Sequence, residues 1–323
     1  MTTYLVTGGG GFVGQWIAKA LIERGITPVL AGLGAQADST PLLTSDERRA
    51  VQWTRCDMRR ADEIEAMIDV SRPDVVIHLA GIASPPDADV NPAATYDVNA
   101  LGVVRLLGTI GVRRNAGTLD PVIVVAGTAL QYGAHDVSEM PLSERAEQRP
   151  LGVYAASKLA QEIAALERFR VDGVRVVCTR SFNHSGVGQP AQYLLPSLVR
   201  RVRDLESRPG HTLSIGNDAV RDFLHVRDVA SAYLALAERG TPGEAYNVAS
   251  GAGVSVRRLA SDVLLQAGVH ADITTEPALV RSTDISSLVG SSAKLRDATG
   301  WAPRLTHADI IDDLLRSAHA ATD

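Results

Sequence analysis

Tyr4-Leu5-Val6-Thr7-Gly8-Gly9-Gly10-Gly11-Phe12-Val13-Gly14 runs from an apolar strand through a glycine loop into the start of a helical pattern. Gly8, Gly11 and Gly14 stand three apart, in a G-x-x-G-x-x-G variant of the dinucleotide fingerprint. In that fingerprint the glycines tighten the turn, let backbone approach a pyrophosphate and let the helix pack on the strand. The helix N-terminus then offers free amides and a partial positive charge to a diphosphate. A glycine run also serves a purely structural turn. Its place between a first strand and a first helix is what favours the dinucleotide.

Downstream, short β-branched runs alternate with longer amphipathic stretches. The runs are Leu5-Val6, Val29-Leu30, Val51-Gln52-Trp53, Val75-Val76-Ile77, Val122 to Val125 and Val174 to Val177. Helical patterns lie between them at Trp16 to Arg24, Ala61 to Asp69, Thr95 to Arg113 and Tyr154 to Phe169. The alternation predicts a doubly wound parallel α/β sheet. After residue 181 the pattern becomes mixed, which predicts a smaller second lobe. The expected division is a dinucleotide-binding domain over 1–180, with a returning segment near 216–240, and a substrate-binding lobe over 181–215 and 241–323.

At 323 residues the chain exceeds what one small core organises, in keeping with two lobes. Its 45% hydrophobic content is that of a soluble globular protein. Lys plus Arg number 32 against 37 Asp plus Glu, a net charge of −5 with no basic block, so no nucleic-acid partner is expected. The first residues carry no basic n-region or long apolar h-region, and runs such as Val122 to Ala126 are far below membrane-spanning length. No membrane partner is expected. Cys56 and Cys178 read as reduced core thiols of a cytoplasmic protein. The eight histidines show no ligand spacing with carboxylates or thiols, so no metal is expected either.

The chemistry concentrates in Val153-Tyr154-Ala155-Ala156-Ser157-Lys158-Leu159-Ala160-Gln161-Glu162. On a helix, Tyr154 and Lys158 share one face, a turn apart. A phenol titrates near ~10. An ammonium roughly 4 Å away, at an effective dielectric of about 20, favours phenolate by at most about 4 kcal/mol, or ~3 pH units. The expectation is a lysine-acidified phenol that moves a proton on and off a carbinol oxygen near neutrality. An aromatic packed over a lysine stem is the bland alternative. Thr128 follows the fifth strand, in the crevice where open α/β sheets bind ligands, and there it would hydrogen-bond the same oxygen as Tyr154.

Other strand ends carry weaker signals. Asp57 and Met58 follow the third strand, where a carboxylate either accepts from an adenine amino group or caps the next turn. Leu79-Ala80-Gly81 ends the fourth, and Gly81 would admit close backbone approach to a cofactor. Asn99 reads as a buried amide bridging two helices or as a link in a proton path. The second strand ends in Gly32-Leu33-Gly34-Ala35-Gln36, with neither a carboxylate for a ribose nor an arginine for a 2′-phosphate, so NAD and NADP stay equally open.

With the glycine loop, Leu79-Ala80-Gly81, Thr128 and Tyr154-x-x-x-Lys158 in this order, the sequence resembles the extended short-chain dehydrogenase/reductase family, of the NAD-dependent epimerase/dehydratase type. The resemblance implies a Rossmann dinucleotide domain with a smaller, mixed α/β C-terminal substrate lobe, and NAD(P)(H) as cofactor. It implies Tyr154 as general acid/base, Lys158 as the group that lowers its pKa and holds the nicotinamide ribose, and Thr128 as the residue orienting the reacting oxygen. Phe12 and Val13 would give amides to the diphosphate, and Phe182 would join the cofactor contacts.

Arg180-Ser181-Phe182-Asn183-His184-Ser185-Gly186-Val187-Gly188-Gln189 is similar to the Arg-Pro-Phe-Asn-His-Thr-Gly-Pro-Gly-Gln stretch of GDP-mannose dehydratases and GDP-4-dehydro-6-deoxymannose reductases. By the same resemblance Asn183, Arg221 and Arg281 would bind a nucleotide-sugar substrate, the two arginines clamping its diphosphate. Related dehydratases carry an acid where this chain has Leu130, and an aliphatic side chain moves no proton. The expected activity is therefore NAD(P)H-dependent reduction of the C4 ketone of a nucleotide-linked 4-keto-6-deoxyhexose, GDP-linked by preference. A UDP- or dTDP-sugar 4-epimerase with tightly bound NAD is the alternative. A dinucleotide sensor without catalysis is disfavoured by the intact Thr128, Tyr154 and Lys158. The helices over Thr95 to Arg113 and Tyr154 to Phe169 carry small and apolar residues on more than one face. By resemblance to relatives, where that surface forms a four-helix dimer interface, a homodimer is expected, with packing on the sheet as the alternative use of the same pattern.

Overall fold

The computed structural model describes residues 2–206, 212–276 and 285–320. The chain runs β1 (Tyr4–Thr7), α1 (Phe12–Glu23), β2 (Val29–Gly32), α2 (Gln36–Ser39), α3 (Ser45–Arg49), β3 (Gln52–Arg55), α4 (Ala61–Ser71) and β4 (Val75–His78). It continues through α5 (Pro85–Val90), α6 (Pro92–Tyr96), α7 (Gly102–Asn115), β5 (Val122–Thr128), α8 (Val153–Asp172) and β6 (Val176–Ser181). Then come β7 (Asn183–Ser185), α9 (Leu194–Glu206), β8 (Leu213–Ile215), β9 (Val220–His225), α10 (Val226–Arg239), β10 (Ala245–Val248), β11 (Gly253–Ser255) and α11 (Val256–Ala267). The last elements are β12 (Ile273–Thr275), β13 (Ser287–Leu288), α12 (Ala293–Thr299) and α13 (His307–Ala320).

Seven parallel strands form the main sheet in the order β10-β6-β5-β4-β1-β2-β3. Leu5 pairs with Val29 on one side and Val76 on the other, so the glycine loop leaves the central strand. Alternation decides the two faces. Val6, Leu30, Ile77, Val124 and Val177 face α1 and α10, and Leu5, Val76, Ile123, Val125 and Val176 face α4, α7 and α8. Burial on both sides is what makes these strands read as short apolar runs.

A second, smaller assembly follows. β9 pairs with β11, β13 and β7, while β8 pairs with β12. α9, α11 and α13 pack around Leu198, Val199, Leu259, Val263, Ile310 and Ile311. The expected boundaries need one correction. Ala245–Val248 lies in the span assigned to the substrate lobe, yet it extends the main sheet beside β6, pairing Ala245 with Cys178 and Val248 with Ser181. Within the segment expected to return to the first lobe, β9 belongs to the smaller sheet and α10 packs on the large one. Such pairings between distant segments leave no local pattern.

Cys56 and Cys178 are free and buried, and burial raises both thiols, Cys56 to about 12. No helix among the described residues is long and apolar enough to cross a membrane.

Candidate active site

The site lies at the carboxyl ends of the main strands. Gly8 has φ +68°, and a Cβ there would sit 2.8 Å from Ala80 N and 2.9 Å from Leu79 C. A Cβ at Gly14 would lie 2.6 Å from the Gly8 carbonyl oxygen. The loop is thus pressed between α1 and the end of β4, which only glycine permits. Gly11 is the N-cap of α1 and, having no side chain, leaves the first-turn amides of Phe12, Val13 and Gly14 uncapped by its own residue. That cradle fits the diphosphate of a dinucleotide.

Beneath the loop, Ala80 N donates to Thr7 Oγ1 at 3.4 Å, and the Thr7 hydroxyl meets His78 Nδ1 at 2.8 Å. His78 is fully buried, and burial, with Lys158 nearby, lowers it to about 3. A neutral imidazole accepting at Nδ1 carries its hydrogen on Nε2, which finds no partner among the described residues. Beside it, Asn99 sits in a single π-helical turn, Asp97–Leu101, between α6 and α7. Its amide accepts from Ile82 N at 2.8 Å and donates to Ile82 O at 3.1 Å and Ser157 Oγ at 2.9 Å. Asn99 therefore fastens the β4–α5 loop to α8. A Cβ on Gly81 would lie 2.7 Å from Asn99 Oδ1 and 3.5 Å from Lys158 Nζ. Among protein groups, it is these two side chains that need the space Gly81 leaves.

Thr128 ends β5. Its amide donates to Gln131 Oε1 at 3.0 Å, and Leu130 N donates to Thr128 Oγ1 at 3.3 Å. Tyr154, half-buried in the first turn of α8, is hydrogen-bonded through its phenol to the Thr128 side chain. Lys158 is 4% exposed and donates to Ala126 O and Gln161 Oε1, both at 2.9 Å. Burial lowers its ammonium to about 8.

The expectation of an acidified phenol meets an opposing effect here. Burial pushes Tyr154 above its ordinary value, and the Thr128 hydrogen bond offsets only part of that. The lysine spacing is as expected, but its ammonium is bonded to a strand carbonyl and an amide. In this arrangement the phenol holds its proton at neutral pH.

Behind Thr128 lies a buried network. Gln131 Nε2 donates to Glu162 Oε2 at 2.9 Å, and Arg180 donates to both Glu162 oxygens at 2.7 and 3.0 Å. Arg180 also reaches Tyr132 OH at 3.0 Å and Glu144 O at 2.9 Å. Gln131, Gln161 and Arg180 are not among the expected site residues. Their signal was faint: Gln161 lies one turn beyond Lys158 and Glu162 two turns beyond Tyr154, a polar stripe along one helix face.

The remaining expected residues are dispersed. Asp57 receives Arg59 at 2.6 Å and its backbone amide at 2.9 Å, which favours the turn-cap reading and engages the carboxylate. Met58 is buried. Phe182, expected at the cofactor, is 1% exposed and packs with Tyr132. A Cβ on Gly290 would lie 2.3 Å from its ring, so its side chain belongs to the core. Asn183 is exposed on β7. Arg221, half-buried on β9, donates to Val220 O at 3.0 Å. Arg281 lies outside the described residues. The ring of His184, next to Asn183 on β7, stacks on Phe12 at 6.2 Å between centroids and joins the second assembly to the start of α1. Among the described residues no three potential metal ligands cluster.

Comparison with known proteins shows the family. The chain is 37% identical over 236 residues to the GDP-6-deoxy-D-mannose reductase of Pseudomonas aeruginosa, 72% of this chain and 76% of that one. It is 30% identical to a UDP-glucose 4-epimerase of Streptococcus mutans, over 98% of this chain and 95% of the relative. The solved structure of RMD from Pseudomonas aeruginosa complexed with NADPH superposes with a TM-score of 0.82 at 30% identity, covering 99% of this chain and 100% of that chain. A UDP-glucose 4-epimerase of Thermotoga maritima with UDP-glucose superposes at 0.85 over 100% of both chains, and at 21% identity this likeness speaks for the fold alone. With residues 5–314 matching its model, the chain belongs to the GDP-mannose 4,6 dehydratase family, within the extended short-chain dehydrogenases/reductases.

Proposed function

We propose that this protein reduces the C4 ketone of a nucleotide-linked 4-keto-6-deoxyhexose, with GDP as the favoured carrier and NAD(P)H as the reductant. The observation that carries this reading is the Thr128–Tyr154 hydrogen bond beside buried Lys158. Here Leu130 fills the position at which related dehydratases carry an acid. The relatives named GDP-6-deoxy-D-mannose reductase and GDP-6-deoxy-D-talose 4-dehydrogenase support a C4 reaction on a GDP-linked deoxysugar.

Each residue then has a task. Gly8, Gly11 and Gly14 shape the turn, and the amides of Phe12 and Val13 would hold the dinucleotide diphosphate. The bound nicotinamide supplies the hydride. Tyr154, kept protonated by burial, gives its proton to the C4 oxygen. Thr128 Oγ1 accepts from Leu130 N and so has its own hydrogen to offer that oxygen or the phenol. Lys158, charged below about 8, stabilises the negative charge that develops as the proton leaves. Asn183, Arg221 and Arg281 are assigned to the substrate.

We further read the glycine-loop side as the cofactor domain and the smaller assembly as the substrate lobe, in a cytoplasmic homodimer. α7 and α8 pack together and, with the turn before α7, leave Leu101, Val104, Val112 and Ile163 exposed, an apolar face suited to a second copy.

The test supplies purified protein with NADPH or NADH and GDP-4-dehydro-6-deoxymannose. Steady cofactor consumption with formation of a C4 hydroxyl supports the reading, and its absence contradicts it. The 4-epimerase reading draws on the Streptococcus mutans relative. Near-stoichiometric NAD in purified protein, with interconversion of a UDP-hexose and no net NADPH consumption, would favour that reading.

A further inference from the structure

The chain has three lysines, Lys19, Lys158 and Lys294. Lys19 pairs with Glu47 at 2.7 Å and Lys294 with Glu244 at 2.6 Å. Lys158, the most buried of them, has neutral hydrogen-bond acceptors: Ala126 O and Gln161 Oε1, both at 2.9 Å. Gln161 is 0% exposed, and its Nε2 donates to the same Ala126 oxygen at 3.0 Å. The three groups close a ring between α8 and β5, two residues before Thr128. A carboxamide in the interior is tolerated when both its ends are bonded, and here both ends serve this ring.

We propose that Gln161 is a positioning residue: its carboxamide holds the Lys158 ammonium against β5 and keeps it protonated where ketone reduction takes place. The inference rests on the role given to Lys158 above. A hydrogen bond accepted from the charged form favours that form, while burial opposes it. Other groups around Lys158 contribute little opposing charge. His78 on β4 is neutral, Tyr154 on α8 is a protonated phenol, and Asn99 beside Gly81 is uncharged. Glu162 on α8 is held by Arg180 and Gln131. Gln161 is therefore one of two acceptors that keep a buried amine charged.

Two substitutions push in opposite directions. Gln161→Leu removes one acceptor and lowers the Lys158 titration by about one pH unit. Gln161→Glu sets a carboxylate of the same size against the amine and raises it by a similar amount or more. With three lysines, NMR titration of full-length protein carrying 13C-labelled lysine follows each amine separately, and Lys158→Arg assigns the signal. The alkaline limb of kcat, assayed with NADPH and the 4-keto sugar, moves the same way in each variant while KM stays put.

An unmoved Lys158 titration in a folded Gln161→Leu protein overturns the inference. Should the leucine variant fail to fold, the glutamate variant decides, and an unmoved or lowered titration there overturns it equally. If wild-type protein consumes no NADPH with the sugar, the reductase reading falls, while the lysine titration still decides the role of Gln161.

Discussion

Lys158 on α8 and Arg180 on β6 are two buried cations, and they are held by opposite means. Arg180 meets a carboxylate through Nε and Nη2, reaches Tyr132 OH and Glu144 O through Nη1, and lies 5.2 Å over the Tyr132 ring. Burial alone would lower its pKa, but Glu162 outweighs burial and raises it. Lys158 has a carbonyl and an amide for acceptors, and burial brings it down to about 8. A buried charge paired with a carboxylate is a strut, because losing either partner strands the other. One held by neutral acceptors stays near its titration point and responds to charge that appears beside it.

If that contrast is right, damage to the poised centre lowers rate and damage to the strut lowers stability. Tyr154→Phe gives the largest effect: turnover of the 4-keto sugar drops by about 10³-fold, with cofactor affinity and melting temperature close to wild type. Steady-state assay and cofactor titration on one preparation check both parts. Glu162→Ala leaves Arg180 buried without its carboxylate and lowers unfolding free energy by about 3–5 kcal/mol in urea denaturation. A loss confined to turnover would erase the distinction.

Smaller effects sharpen it. Below about 8 Lys158 is charged in folded and unfolded chains, and the folded state carries the full burial penalty. Between that value and the ordinary lysine range the unfolded chain binds more protons, so stability attributable to Lys158 rises with pH, by at most about 3 kcal/mol. Comparing wild type with Lys158→Met in urea at neutral and alkaline pH isolates the rise, which the methionine variant lacks. Arg221→Ala gives the smallest change, a substrate KM raised about tenfold, or about 1.4 kcal/mol, with cofactor affinity unchanged. An unmoved KM would make Arg221 structural.

What the sequence made legible is what short-range spacing fixes. The glycine loop announced its turn because crowding at Gly8 and Gly14 arises within a few residues and from the strand beside them. Tyr154 and Lys158 announced a shared helix face for the same reason, and Thr128 announced a strand end. The direction in which Lys158 Nζ turns is a different kind of fact. It depends on the Ala126 carbonyl of another element, so spacing alone could not show how the ammonium is held. The packing of Phe182 was hidden for a similar reason, since its neighbour Gly290 comes more than a hundred residues later in the chain. Ala245–Val248 joined the main sheet through a partner that no local pattern could name.

The pH dependence of kcat for NADPH-driven ketone reduction tests the central claim most directly. A protonated Tyr154 beside a charged Lys158 predicts a rate that is flat through neutrality and falls above about 8 as the ammonium is lost. A rate that climbs through the same range, as a centre working from its phenolate would show, would contradict it.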